Sequence, residues 1–298
     1  MAKSGIVILY KDVGMSSHSA TSRLRRILGA DKAGHTGTLD PLAEGVLPIL
    51  IERGVKASEY VTSEDKHYRA TLLLGITTDT EDITGETLSK SDTLPTESEV
   101  MVATQAMVGN SYQTPPMYSA IKVGGKKLYD LAREGKVIER EARPICVYSI
   151  VCKKITDAEY TLDVHCSKGT YIRTLCADIG KNLGCGGVMK TLIRTECAGY
   201  TLDDAFTLSQ IETMTDAEKD SIIHPVEELF LKYRRVTLPP FFARLARCGV
   251  EIYLKKISFS AELSERVALY DDKGFFALGE VRHFDDGDAI KPIKQFDI

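Results

Sequence analysis

Alternation between apolar and polar residues marks two stretches of the chain as strands with one buried face. The first is HYRATLLLG, in which Tyr68 and every second residue after it share one face, and the second spans 160–166. A shorter apolar run at 6–10 has the length of a buried strand. These patterns predict strands at all three places, with Tyr68 near the start of its strand.

Apolar residues at helical spacing, together with capping residues, predict four helices. They cover 17–28, 96–109, 126–133 and 172–183. Ser16 or Ser17 would cap the first helix, and Thr96 with Glu99 forms the capping box of the second. Arg173 stands where a turn passes into the fourth helix, so its head group is free to point into a site.

The pattern of residue types changes from about residue 231 onwards. Short apolar runs follow, and they are separated by the turn sequences DDKG and DDGD. Strands are predicted at 250–254, 266–270 and 275–281. We therefore expect one domain over 1–230 and a small β-rich domain over 231–298. The predicted class is α+β, with a mixed sheet and helices in the first domain.

Composition places the chain among globular proteins, since 43% of its 298 residues are hydrophobic. No apolar run is long enough to span a membrane, and the first residues lack the long apolar region of a signal peptide. The seven cysteines are scattered and form no CxxC pair, which argues against a zinc site and a disulfide framework. A cytoplasmic protein is expected.

The net charge of −4 argues against a nucleic-acid partner until the distribution of charge is considered. Residues 121–145 carry seven Lys and Arg against four acids, and 165–195 carry five against one. Acids are concentrated instead at 79–100, where seven face one base. Segregated charge can give an acidic protein a basic face. A merely uneven surface explains the same distribution, so charge alone leaves both interpretations open.

The segment GHTGTLDPLAEGVLPI, residues 34–49, combines turn-forming residues with residues apolar enough to be buried. Pro41 pushes the backbone of Asp40 towards an extended conformation, and the later glycine and proline leave room for at most about one helical turn. Asp40 would stand on an exposed loop between apolar walls. Taken alone, Asp40 is more commonly a cap of such a turn, and His35 is more commonly structural.

GHTGTLDPLAEGVLPI resembles the catalytic motif of the TruB family of tRNA pseudouridine synthases. Further segments resemble other motifs of this family in the same order, namely KDVGMSS, DKHYRATLLLG, PPMYSAIKVGGKKLYDLAREG, HCSKGTYIRTL and TLIRTECAGY. The matches cover residues 4–200, and the short C-terminal domain fits the bacterial branch better than the dyskerin-type branch. Asp12 departs from the family, which commonly has proline there, at the turn before Gly14.

The resemblance implies that Asp40 is the nucleophile, that Arg173 is its ion-pair partner, and that Tyr68 stacks on the extruded uracil and could accept a proton. Isomerising uridine moves C1′ from N1 to C5 without redox change. A carboxylate can assist by attacking the base at C6 or the ribose at C1′, and both routes stay open. A neighbouring cation would keep that carboxylate charged and oriented, and an aromatic face would partly replace lost base stacking.

The other implied residues are His35, which would assist extrusion of the base, Leu192, which would wall the pocket, and Lys11, near the pocket floor or an RNA phosphate. The implied substrate is the T-loop uridine of tRNA, conventionally numbered 55, modified without metal or organic cofactor. The insertion at about 115–145 would clasp the RNA, and 231–298 would be a PUA-like RNA-binding domain. We expect a monomer that needs no protein partner, with an accompanying tRNA-folding role.

Two rival functions from other classes remain. One is a carboxylate hydrolase of glycosidase type that uses Asp40 and Glu44. Their four-residue spacing on a broken turn does not ensure a facing pair, and the motifs that resemble an RNA enzyme would stay unexplained. The other is a tRNA-binding chaperone without catalysis, against which the intact set of Asp40, Tyr68 and Arg173 argues.

Overall fold

The structure, a computed structural model, describes residues 3–296 except 120 and 137, and its description leaves out the side chains at 122, 123, 126, 127, 130 and 133. The helices are α1 (Ser17–Ile27), α2 (Ser58–Thr62), α3 (Glu97–Gln105), α4 (Leu128–Arg133), α5 (Ile172–Asn182), α6 (Leu208–Thr213), α7 (Asp216–Ser221) and α8 (Pro240–Arg247). Within the described residues, none of them has the length and apolarity that crossing a membrane requires.

Strands occur along the whole length of the described chain. They are β1 (Gly5–Lys11), β2 (Ala33–His35), β3 (Ala43–Ile51), β4 (Lys66–Leu74), β5 (Ile76–Thr78), β6 (Thr87–Lys90), β7 (Gly109–Gln113), β8 (Lys122–Val123), β9 (Lys126–Lys127), β10 (Arg143–Lys154), β11 (Glu159–Cys166), β12 (Gly187–Cys197), β13 (Tyr200–Thr201), β14 (Phe206–Thr207), β15 (Arg234–Thr237), β16 (Ile252–Tyr253), β17 (Arg266–Asp271), β18 (Gly274–Phe284) and β19 (Gly287–Gln295). The predicted strands at 6–10, from Tyr68 and at 160–166 are confirmed as β1, β4 and β11.

A large mixed sheet organises the first part of the chain. Among the described residues its strand order is β14-β1-β3-β12-β4-β11-β10-β7, with β2 paired to β3 and β13 paired to β12. The pairs β1–β14 and β3–β12 are parallel, while β4 pairs antiparallel with both β12 and β11. The predicted α+β class with a mixed sheet is confirmed.

One face of this sheet is buried beneath α1, α3 and α5, which share an apolar core with it. On β4, Ala70 and Leu72 are fully buried, whereas Arg69 is exposed on the opposite face. Full burial of a leucine side chain contributes about 1.5–3 kcal/mol, so the alternation fixes the register of the strand. The same core holds the start of α5 against the sheet.

Two predicted helix boundaries are wrong. α3 ends at Gln105 rather than near 109, because the chain turns there and Gly109, with φ +118°, begins β7. The helix predicted from 126 begins at Leu128, since the two residues before it pair with β8. Of the two serines proposed as the first cap, Ser16 is the one that accepts a hydrogen bond, from the backbone N–H of Ser19 at 3.1 Å.

The segment 34–49 is mostly strand, which corrects the expectation of a loop with at most about one helical turn. β3 starts at Ala43 and runs through Gly45 and Pro48, and it pairs with β1 from Gly45 to Ile51. Gly45 permits this because a Cβ there would lie 2.3 Å from the carbonyl oxygen of Arg194, on the adjacent β12. The loop that carries Asp40 is therefore the short connection between β2 and β3.

The C-terminal part forms a second sheet of order β15-β17-β18-β19-β16, with α8 packed on it. The expected β-rich character is confirmed, and β17 and β18 correspond to two predicted strands. The strand predicted at 250–254 is shorter, Ile252–Tyr253, and β15, α8 and β19 were not predicted. A cluster including Ala57, Phe230 and Phe275 joins the two parts through shared apolar packing.

Candidate active site

Asp40 and Arg173, far apart along the chain, are brought together by the fold. Oδ2 of Asp40 accepts from Nε of Arg173 at 2.9 Å. Arg173 lies in the first turn of α5, and its side chain is 5% exposed, whereas that of Asp40 is 36% exposed. The cation is thus enclosed by protein while the carboxylate keeps an open side from which a substrate can be reached.

The orientation of Arg173 is fixed by further acceptors on two other segments. Its Nη1 donates to the carbonyl oxygen of Thr80 at 3.0 Å, and its Nη2 donates to that of Tyr118 at 2.6 Å. Nη1 also lies 3.6 Å from Oδ2 of Asp82. A guanidinium is a rigid planar fork of donors, so contacts on three edges leave it little freedom. The direction from which it meets Asp40 is therefore set.

Asp82 is a site residue that the sequence did not reveal, since TDTEDITGE reads as an ordinary polar loop. Its side chain is 8% exposed, and its Oδ1 accepts from Thr80 Oγ1 at 2.8 Å and from the Thr84 backbone N–H at 2.9 Å. These bonds fold the loop around the carboxylate and aim its other oxygen at Arg173. A cluster of Thr and Asp side chains able to bond locally was the signal available in the sequence.

The pKa of Asp40 is raised above its ordinary value. Burial is the largest cause, the positive charge of Arg173 opposes it, and the negative charge of Asp82 adds to it. A carboxylate with less water around it is a better nucleophile, while a bonded arginine preserves its ionised form. The site thus combines partial desolvation of Asp40 with one oriented cation.

The backbone on both sides of Asp40 is held in place. Ser17 Oγ donates to the carbonyl oxygen of Leu39 at 2.9 Å and accepts from the Leu39 N–H at 2.8 Å. On the other side, the Gly14 N–H donates to the carbonyl oxygen of Pro41 at 2.8 Å. The KDVGMSS segment therefore supports the Asp40 loop. The prediction of Ser17 as a possible helix cap did not include this role.

Lys11 is fully buried beneath this loop. Its Nζ donates to the carbonyl oxygens of Asp12 at 2.9 Å and Met15 at 2.8 Å, which closes the turn that contains Asp12. Loss of water lowers the pKa of Lys11 to about 8, and the charge of Asp40 opposes that change. Of the two places predicted for Lys11, complete burial favours the pocket floor over a contact with an RNA phosphate.

Tyr68 lies on β4, 9% exposed, directly across from Arg194 on β12. Burial raises the pKa of the Tyr68 hydroxyl to about 12, against a smaller lowering by Arg194. The phenol is therefore protonated at neutral pH, which favours stacking and hydrogen-bond donation over proton acceptance. Arg194, 1% exposed, was overlooked in the sequence because it stands in an unremarkable strand motif.

Leu192 and His35 occupy the flanks of the same region. Leu192 is 7% exposed and pairs with Ala43 on β3 and Ala70 on β4. His35 ends β2, and its buried Nδ1 has no hydrogen-bond partner among the residues that the structure describes. Burial, reinforced by Arg194, lowers the pKa of His35 and so keeps its ring neutral at physiological pH.

Glu44, the partner of Asp40 in the hydrolase hypothesis, acts on a different neighbour. Burial and a hydrogen bond with Glu44 raise the pKa of Tyr10 to about 12. The carboxylate whose charge acts on Asp40 is that of Asp82, and both contact one arginine. Two carboxylates sharing a cation do not form the acid and nucleophile pair of a glycosidase.

The basic insertion reaches the site through its backbone, since the carbonyl oxygen of Tyr118 contacts Arg173. Among the described side chains, Lys136 pairs with Glu134 at 2.7 Å and Arg140 donates to the carbonyl oxygen of Pro115 at 3.0 Å. Arg143 is exposed at the start of β10. The other four bases of the predicted clasp have side chains outside the described residues, and they are Lys122, Lys126, Lys127 and Arg133.

The chain is similar to a known protein family, to individual proteins and to solved structures. The sequence model described as TruB family pseudouridylate synthase (N terminal domain) matches residues 25–172, and that of the tRNA pseudouridylate synthase B C-terminal domain matches 173–231. The chain is 41% identical over 284 residues to tRNA pseudouridine synthase B of Alkaliphilus oremlandii, covering 95% of this chain and 94% of that protein.

A second relative, tRNA pseudouridine synthase B of Clostridium novyi, is 42% identical over 277 residues, which cover 93% of this chain and 95% of that protein. A chain in the crystal structure of a Cbf5-Nop10-Gar1 complex has the same fold, with a TM-score of 0.74 and 24% identity. That match covers 98% of this chain and 84% of the other. With two family models matched in succession and relatives above 40% identity, the chain belongs to the TruB family of pseudouridylate synthases, which are isomerases.

Proposed function

We propose that this chain isomerises the uridine at position 55, in the T loop of tRNA, to pseudouridine, with Asp40 as the nucleophile. The observation that carries the proposal is the contact of 2.9 Å between Asp40 and an arginine that is itself fixed by Thr80, Tyr118 and Asp82. The relatives, which are tRNA pseudouridine synthases B, support tRNA as the substrate.

In the proposed reaction the N1–C1′ bond breaks, C1′ bonds to C5, the proton on C5 leaves and N1 takes up a proton. Asp40 attacks C6 of the base or C1′ of the ribose, and it leaves again before product release. Arg173 keeps the attacking carboxylate charged and oriented. The substrate electrons are only redistributed, so the chain's own side chains suffice for each of these steps.

The target base lies inside a folded loop and has to be extruded before Asp40 can reach it. Tyr68 offers a flat face that partly replaces the lost stacking and a hydroxyl that remains a donor. Leu192 bounds the pocket, and a neutral His35 beside the loop would assist extrusion without adding charge.

The test is to incubate a tRNA transcript with the purified chain alone and map pseudouridine along the RNA. We expect modification at position 55 and no modification of a transcript with cytidine there. The isolated chain is used because we propose that it acts as a monomer without a protein partner. Release of free uracil would support a hydrolase instead, and tight binding of a T-arm minihelix without turnover would support a chaperone.

The predicted clasp at 115–145 implies binding that depends on salt. If its bases make about three phosphate contacts, affinity for tRNA should fall roughly 40-fold between about 50 and 200 mM salt. Changing Lys122, Lys126 and Lys127 together to Gln should reduce the slope of log affinity against log salt by about 2 to 3. A triple variant with the wild-type slope, measured by filter binding, would exclude these lysines as phosphate ligands.

A further inference from the structure

We propose that Arg194 is a positioning residue for the reaction, which holds the Asp40 loop and the Tyr68 ring in one fixed arrangement. The inference rests on the proposed function, because it assigns Arg194 a task in the same site. It concerns a side chain that touches neither Asp40 nor, in the proposed reaction, the substrate.

Arg194 reaches from β12 to the backbone on both sides of the nucleophile. Its Nε donates to the carbonyl oxygen of Val46 at 2.7 Å, and its Nη2 donates to that of Gly37 at 3.3 Å. Gly37 lies three residues before Asp40 and Val46 six residues after it. One guanidinium thus joins the two ends of the segment that carries the nucleophile.

The charge of Arg194 is enclosed by protein, and no carboxylate among the described residues pairs with it. The residue is 1% exposed, and within the part of the chain that the structure describes no carboxylate lies within 4.0 Å of it. Arg173, by contrast, contacts both Asp40 and Asp82. Burying a cation without a counter-ion destabilises a fold. The presence of Arg194 at this position therefore indicates a role in function rather than in stability.

The same cation lies beside Tyr68. The two residues face each other across the antiparallel pair β4–β12, and the charge of Arg194 lowers the pKa of the phenol against the larger effect of burial. Burial is the largest cause that lowers the pKa of His35 and the pKa of Lys11, and the charge of Arg194 lowers both further. Arg194 therefore lies at the centre of the groups that surround the proposed pocket.

Two glycines of the motif make room for this arrangement. At Gly45 an added Cβ would meet the Arg194 carbonyl oxygen at 2.3 Å, so only glycine lets β12 approach β3 here. Gly37 has φ +112°, a backbone conformation that favours glycine, and its Cβ position lies 3.7 Å from Nη1 of Arg194. The backbone of GHTGTLDPLAEG is shaped around Arg194 as well as around Asp40.

The proposed task follows from this geometry. Asp40 sits on a loop from β2 to β3, and Tyr68 sits on β4, so their separation depends on what lies between these elements. Strand β12 lies between β3 and β4, and its residue Arg194 pairs with Gly45 on β3 and with Tyr68 on β4. A displacement of about 1 Å in a reacting group can reduce a rate about 100-fold.

The experiment compares Arg194→Lys and Arg194→Met with the wild type in single-turnover reactions at saturating tRNA, alongside tRNA affinity and thermal unfolding. The matched control is Arg69→Met, which removes an exposed arginine from the same sheet. We expect a rate about 100-fold lower for Arg194→Met and about 10-fold lower for Arg194→Lys, which keeps the charge but not the fork of donors. Affinity for tRNA should stay within about threefold, because no phosphate contact is lost.

Wild-type rates in both Arg194 variants would overturn the proposal, as would a loss of affinity with an unchanged rate at saturation. If Arg194→Met fails to fold, Arg194→Lys decides by the same criteria. A wild-type protein that forms no pseudouridine would overturn the proposed function, and this proposal with it. An active wild type beside unaffected variants would overturn the role of Arg194 alone.

Discussion

Asp40 and Asp271 are each bonded to an arginine, yet the two carboxylates differ in their other contacts and in the direction of their pKa shifts. In the C-terminal sheet, Asp271 Oδ2 accepts from Nη2 of Arg247 at 2.7 Å and from Nε at 3.1 Å, while its Oδ1 accepts from the Lys273 N–H at 2.9 Å. The Arg247 guanidinium also rests over the ring of Phe276, 4.4 Å from its centre. Asp271 has few acceptor positions left for another molecule.

Asp40 has one arginine contact and an open side, and its arginine is shared with Asp82 and two carbonyl groups. The consequence appears in the pKa values. That of Asp271 is lowered, because its hydrogen bonds and Arg247 outweigh the larger single effect of burial, whereas that of Asp40 is raised. The comparison separates a carboxylate that stabilises the fold from one that retains the capacity to react.

The largest expected effect is the loss of turnover in Asp40→Asn. The amide cannot supply the attacking carboxylate, so the rate should fall by at least about 10,000-fold. The measurement uses tRNA with tritium at uracil C5, from which the wild type should release label, and the variant should still bind this RNA. Normal label release from Asp40→Asn would remove Asp40 from the role of nucleophile.

The second effect tests the sharing of Arg173. Asp82→Asn should lower the single-turnover rate roughly 100-fold, because one of the groups that orient Arg173 loses its charge. Asp271→Asn is the matched control, with the same chemical change at the other arginine, and its rate should lie within about twofold of wild type. Equal losses in the two variants would contradict the distinction between these pairs.

The smallest effects are on stability, and they should have opposite signs. Asp271→Asn should lower the free energy of unfolding by about 1–3 kcal/mol at pH 7, since an accepting carboxylate is lost. A lowered folded-state pKa gives stability that is present above the unfolded pKa of about 3.9 and is lost as pH falls through the folded pKa. The difference between wild type and Asp271→Asn should therefore shrink in acid.

For Asp40 the raised pKa has the reverse consequence. Ionisation in the folded state opposes folding as pH rises from about 3.9 through the folded pKa, so Asp40→Asn should unfold at a higher temperature than wild type at pH 7 and not at pH 3. Thermal unfolding at both pH values checks this. A lower melting temperature for Asp40→Asn at pH 7 would show that its contact with Arg173 stabilises the fold on balance.

Sequence patterns predicted structure best where apolar residues recur at the spacing of a single kind of element, and they predicted function best at one specific motif. Alternation around Tyr68 predicted β4 and its buried face, and helical spacing placed Arg173 at the start of α5. The motif around Asp40 led to the family, and the structure then placed Asp40 against Arg173. The C-terminal region gave only its β-rich character, because short strands and turns there repeat no distinctive spacing.

The supporting residues could not be predicted, because their importance lies in contacts between distant segments. The sequence suggested a helix cap for Ser17 and a polar loop residue for Asp82. In the structure Ser17 bonds to Leu39 and Asp82 contacts Arg173, and sequence spacing predicts neither contact. The course of β3 through Gly45 was missed because glycine and proline usually interrupt strands. Here glycine is required because the backbone of Arg194 approaches Gly45 closely, and only the folded chain shows this contact.

That close approach has a consequence for exchange of segments between homologues. The backbone at Gly45 and the backbone at Arg194 leave no space for a side chain between them, and the Arg194 head group fills the space under the Asp40 loop. A chimaera that imports residues 34–49 from another protein therefore has to import the matching part of β12 as well. The two segments, separated by nearly half of the chain, constitute one exchangeable unit.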